Sequence, residues 1–100
     1  SLHPPRGPAT AEGVERRLQD KVLQFKIPVH DSFVDYDRHK TGAISRPQFR
    51  RGLAYAFGDS YVRSSITDAE MQALEGKYRR KLIDGDHFVD WRAFCKKLTE

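Results

Sequence analysis

Asp37, His39 and Thr41 follow one another at alternate positions, Gly42 comes next, and Gln48 stands six residues beyond it. Oxygen-bearing side chains at every second residue of a tight turn can converge on a hard divalent cation such as calcium. That ion asks for six to eight oxygen ligands, and carboxylates supply most of the attraction. The stretch 37–48 holds a single carboxylate, Asp37. His39 offers nitrogen and Gln48 a neutral amide, so calcium is not expected to bind here. A second stretch, 82–93, places Asp84 and Asp86 two apart but begins with Leu82 and ends with Ala93. It lacks its first and last ligands too. No metal and no other cofactor is expected; calcium enters only under an alternative reading.

Other chemistry finds less support. His39 and His87 are two nitrogen ligands, and a closed transition-metal site needs more. Asp84 and Asp86 read as helix-ending loop residues, not as an acid–base pair. Cys95 has no His that can be placed beside it as a base, so it reads as a part-buried thiol. Nothing points to an enzyme.

The elements that position these residues follow from periodicity and capping signals. Residues 1–9 hold three prolines and no apolar period, and are expected to be a disordered arm or linker. From Thr10, the residues Val14, Leu18, Val22 and Phe25 form one face of a helix. Pro28 breaks or kinks it, and a second helix runs to Tyr36 on Val29 and Phe33. Ser45 and Gln48 make a capping box with Pro47 in the first turn, opening a helix that buries Phe49, Leu53 and Phe57. Residues 58–65 read as a polar linker. Thr67 and Glu70 form a second capping box, with Ile66 and Met71 as its hydrophobic staple, and this helix carries Leu74 and Tyr78 before dissolving around Arg80. A short extended piece, Phe88–Asp90, leads into a last helix on Trp91, Phe94 and Leu98.

The segment from Phe33 to Phe49 resembles an EF-hand. Asp37 takes the first loop place, Gly42 the sixth and Ile44 the eighth, with Phe33, Tyr36 and Phe49 at the flanking core positions. The second half matches when Val89 takes the eighth place, so that Leu82 opens its loop. The rival register with Gly85 at the sixth place is rejected, because it puts His87 in the apolar position and Trp91 on a ligand position. The expected fold is all-α: a helical arm, then a paired EF-hand, hand 1 over about 28–58 and hand 2 over about 66–98, within one unit over 10–100. Ile44 and Val89 would join the loops in a short β link. From Val14 to Leu98, and most specifically in Phe88-Val89-Asp90-Trp91-Arg92-Ala93-Phe94-Cys95, the chain is similar to the repeating unit of large multi-EF-hand proteins of cilia and flagella. The basic run Arg79-Arg80-Lys81 departs from that pattern. The resemblance implies a scaffold or microtubule-associated role in the axoneme.

Charge and composition narrow the partners. Eighteen Lys and Arg stand against fourteen Asp and Glu, for a net charge of +4, with 38% apolar residues. Arg46, Arg50 and Arg51 with Arg79, Arg80 and Lys81 could form a basic patch, though a scattered solvated surface is the simpler reading. Leu53, Phe57, Met71 and Leu74 could line a groove for a partner helix, or be core. The expected partner is a protein, tubulin or another axonemal component among the candidates, with neither nucleic acid nor membrane. The chain itself is expected to be monomeric. One cysteine fits a reducing compartment, cytoplasm or cytoskeleton. The chain begins with Ser1, which reads as a piece of something longer. The expected function is therefore a non-catalytic interaction module without calcium control. The alternatives are a weak calcium sensor using Asp37, Thr41 and the Ala43 carbonyl, and a regulatory domain of an enzyme.

Overall fold

Thr10 starts the first helix by accepting a hydrogen bond from the Gly13 N–H at 3.1 Å. The computed structural model describes residues 10–81 and 87–100; the arm over 1–9 and the acids Asp84 and Asp86 lie outside them. Helix α1 spans Ala11–Phe25 and buries Ala11, Val14, Leu18 and Val22. Phe25, expected on that face, is 58% exposed. It is the last residue of the helix, and Lys26 turns the chain away with φ of 53°. Its ring lies under the Lys21 ammonium at 5.1 Å instead.

After Pro28 a short helix α2, Val29–Val34, buries Val29 and Phe33. Strand β1, Ala43–Ser45, runs directly into α3, Arg46–Phe57, through the Ser45–Gln48 capping box with Pro47 in the first turn. The segment after Gly58 is not a linker. It forms helix α4, Asp59–Ser65, which buries Val62 and carries an Asp59–Arg63 pair at 3.1 Å one turn apart. Val62 and Ile66 are both buried and four residues apart, which was the helical signal hidden among polar neighbours. Helix α5, Asp68–Lys77, opens on the Thr67–Glu70 capping box.

Beyond α5 the chain forms strand β2, Arg79–Lys81, where a dissolving helix end was expected. It pairs with β3, His87–Asp90, which leads into α6, Trp91–Leu98. The sheet is antiparallel with order β1-β3-β2, and Ile44 stands opposite Val89. The architecture is thus mostly helical, around one small three-stranded sheet. β2 was hidden because Arg79, Arg80 and Lys81 carry no apolar alternation; cross-strand backbone pairing makes the strand instead.

The core joins both halves. Phe94 sits edge-on to Phe49 at 4.9 Å and to Tyr78 at 5.6 Å, and Phe33 packs on Phe49 at 5.5 Å. Leu53 and Leu74 have no exposed surface, Met71 is buried, and Phe57 packs partly against the same cluster. These four side chains therefore belong to the core and its edge, where a groove for a partner helix was the other expectation. Helix α1 lies on α5 and α6 rather than extending as an arm. Three buried glutamates tie the layers together. Glu15 accepts from Lys77 Nζ at 2.5 Å and from the Tyr78 hydroxyl, Glu70 pairs with Arg17 at 2.7 Å, and Glu75 takes both ends of the Arg50 fork at 2.8 and 3.1 Å.

Gly52 shows how tight the interior is: a Cβ built there would lie 2.4 Å from two carbons of the Phe33 ring. We predict that Gly52→Ala lowers stability by about 1–3 kcal/mol through overpacking. Gly76→Ala, where a Cβ meets nothing within 4 Å, should raise it by a few tenths to about 1 kcal/mol. Urea unfolding checks both; equal effects of the two substitutions would show that Phe33 yields freely.

Candidate functional site

The turn between α2 and β1 is assembled on one carboxylate. The Tyr36 and Asp37 N–H groups bond back to the Phe33 and Val34 carbonyls at 3.0 and 3.1 Å, ending α2 and pointing the chain outward. The Lys40 N–H then reaches the Asp37 carbonyl at 3.1 Å, with Lys40 left-handed at φ 54°. Gly42 follows at φ 84°, a conformation a side chain would strain.

The Asp37 side chain, 6% exposed, fills the inside of this turn. Its Oδ1 accepts from the Thr41 N–H at 2.9 Å and the Thr41 hydroxyl at 3.3 Å. Its Oδ2 accepts from the Gly42 N–H at 2.7 Å and from Trp91 Nε1 at 3.0 Å. Burial pushes the carboxyl pKa up, yet the bonds from Trp91, Gly42 and Thr41 together outweigh it and hold the group below its ordinary value. Trp91 is the first residue of α6, so this bond ties the turn of the first half to the last helix.

Asp37, His39, Thr41, Ala43, Ser45 and Gln48 all line one open cleft of about 780 Å³. Their side chains are not equally available. Gln48 Oε1 accepts from the Ser45 N–H at 3.0 Å, and Ser45 Oγ accepts from the Gln48 N–H at 3.3 Å, so both serve the cap of α3. Thr41 Oγ1 lies between Asp37 and the Ala43 backbone. His39 is exposed. The side chain of His87 lies outside the described set, as do Asp84 and Asp86. Among the described residues no three His, Cys, Asp or Glu side chains stand close enough to hold a metal ion. Cys95 is buried, and burial pushes its thiol up to about 12, far from a nucleophile's range.

Two contacts escaped the sequence reading. The Trp91–Asp37 bond had half a signal: a buried indole N–H needs an acceptor, but nothing in the sequence singles out Asp37 among the acids as that partner. The other had none: Arg80 Nη1 donates to the Thr41 carbonyl at 2.7 Å, from a strand that could not be foreseen. The proposed basic patch is divided, because Arg50 is engaged by Glu75 while Arg80 crosses to the turn.

Comparison with protein-family models finds no match to this chain, and comparison with curated proteins finds none either. Among the described residues, no helix is long and apolar enough to cross a membrane.

The depressed Asp37 pKa makes a signed prediction. Ionised Asp37 contributes stability above the ordinary carboxylate pKa, and that contribution disappears as pH falls through the lower folded-state value. Asp37→Asn should therefore destabilise the protein at neutral pH by about 1–3 kcal/mol, having turned one acceptor into a donor facing other donors. The gap from wild type should narrow as pH drops below the ordinary carboxylate range. Urea midpoints across pH for both proteins measure this, and a gap independent of pH would contradict it.

Proposed function

We propose that the chain is a non-catalytic protein-interaction module built on a pair of EF-hand-like units that hold their shape without calcium. The observation that carries this reading is the Asp37 carboxylate, which accepts four hydrogen bonds, one of them from the Trp91 indole on the last helix. In a calcium-loaded hand the carboxylate at that place would face the ion. Here Trp91 and Thr41 donate to it, and the Gln48 amide, at the place of the bidentate acid, caps a helix.

The likeness to a hand is supported by the cleft lining. Residues 37, 39, 41, 43, 45 and 48 are the first, third, fifth, seventh, ninth and twelfth places of such a loop, and all six border one cavity. Ile44 opposite Val89 supports the pairing of two loops. A hand with no ion has no calcium-driven opening, so the angle between its helices is set by packing alone. That suits a constant docking element better than a switch. A place in a cytoskeletal or axonemal scaffold follows from the resemblance of the Phe88–Cys95 run and belongs to the same proposal.

Three measurements test it. The wild type should release no heat and show no change in Trp91 emission on addition of calcium at physiological salt; a response at micromolar calcium would favour a sensor. His39→Asp with Gln48→Glu raises the turn from one carboxylate to three, and this double variant should acquire calcium affinity, of order 10⁻⁴–10⁻³ M. A double variant that folds but stays blind to calcium would remove the EF-hand reading. Co-sedimentation with microtubules at low salt addresses the cytoskeletal part, where pelleting is the expected result and its absence would argue against direct contact.

A further inference from the structure

Five cations of the described surface stand against a carboxylate. Arg17 meets Glu70, Arg50 meets Glu75, Arg63 meets Asp59, Lys97 meets Glu100, and Lys77 meets both Glu12 and Glu15. Around Gly42 cations gather beside one another at a turn instead. A Cβ at Gly42 would lie 3.1 Å from Arg80 Nη1 and 3.4 Å from Arg92 Cδ, so two guanidinium side chains flank the same glycine from β2 and α6. Lys40 is exposed two residues earlier in the same turn. Among the described residues no ion pair joins Lys40, Arg80 or Arg92 to a carboxylate. Among the described residues, two nearby acids are directed elsewhere: Asp37 inward to Thr41, Gly42 and Trp91, and Asp90 to the Ala93 N–H at the start of α6.

Both arginines are also held in place. Arg80 is anchored by its 2.7 Å bond to the Thr41 carbonyl, and the Arg92 guanidinium lies 5.7 Å above the Trp91 ring. Anchored guanidinium forks lose less entropy on binding and match carboxylates in a two-pronged geometry. We propose that Lys40, Arg80 and Arg92 around Gly42 form a docking surface for an acidic peptide segment of a partner protein. The proposal rests on the interaction-module reading and gives the partner's chemistry. A nucleic-acid strand is the less suited occupant, because the one indole here, Trp91, is buried beneath Arg92 and offers no face for a base to stack on.

The test is an anisotropy titration of a fluorescein-labelled oligoglutamate peptide at about 50 mM salt, where screening is weak. Saturable binding is expected, with a change in Trp91 emission because Arg92 covers that ring. Arg80→Gln with Arg92→Gln should weaken binding by at least about tenfold. Arg16→Gln with Arg51→Gln removes the same charge from exposed sites elsewhere and should change affinity about twofold or less. Arg92→Gln alone, which breaks no hydrogen bond among the described residues, covers the case in which the Arg80 substitution loosens the turn. Absence of saturable binding, equal losses in the two double variants, or stronger competition by oligothymidylate than by unlabelled oligoglutamate would each overturn the proposal. Loss of peptide binding beside a flat calcium titration removes this surface alone; calcium binding would instead remove the module reading beneath it.

Discussion

The buried carboxylate of Asp37 is the constraint from which the arrangement of the two halves follows. A charged group taken out of water needs donors on both oxygens, or it loses several kcal/mol of solvation. Backbone N–H groups of its own turn supply part of that need, which bends residues 37–42 into one shape. The Thr41 hydroxyl adds another donor, and the last comes from Trp91, more than fifty residues further on, which ties the start of α6 to the first turn. With α6 placed, β3 must run beside β1, and Phe94 must enter the ring cluster formed by Phe33, Phe49 and Tyr78. The carboxylate holds the turn in the way a bound cation otherwise would, with the sign reversed: donors gather around an anion instead of anions around a metal.

The three buried glutamates act at the next level. Ion pairs of this kind add little net stability, since desolvation offsets most of the attraction, but they penalise misalignment heavily. Glu75 fixes α5 against α3 through the Arg50 fork, while Glu15 and Glu70 fix α1 against α5. An apolar interface alone would tolerate a slide of one turn. These bonds do not.

Legibility in the sequence tracked the range of the interactions. Capping boxes at Ser45 and Thr67, the Asp90 cap of α6 and the apolar stripes of α1, α3 and α6 are local, and each could be read from spacing of three or four residues. Helix α4 was obscured because it buries Val62 alone, with Ile66 at its C-cap, amid serines and charges. Strand β2 was obscured for a different reason, as three consecutive cations have no strand pattern and acquire their conformation only from β3. At the turn, the scarcity of carboxylates around Asp37 was legible. What replaces the missing ligands was not, because Trp91 and Arg80 are brought there by tertiary structure alone. Leu53 and Leu74 illustrate the converse: apolar helical positions look the same on paper whether they meet a partner or their own core.

The seat of α1 across α5 and α6 has a consequence for competition. Its apolar stripe of Val14, Leu18 and Val22, secured along its length by Glu15, Arg17 and the Gln19 bond to the Lys97 carbonyl, covers apolar surface of both helices. The molecule therefore carries its own occupant, tethered at an effective concentration of about millimolar or more. A foreign amphipathic helix arriving at cellular abundance would have to displace that tether to reach the apolar surface beneath it.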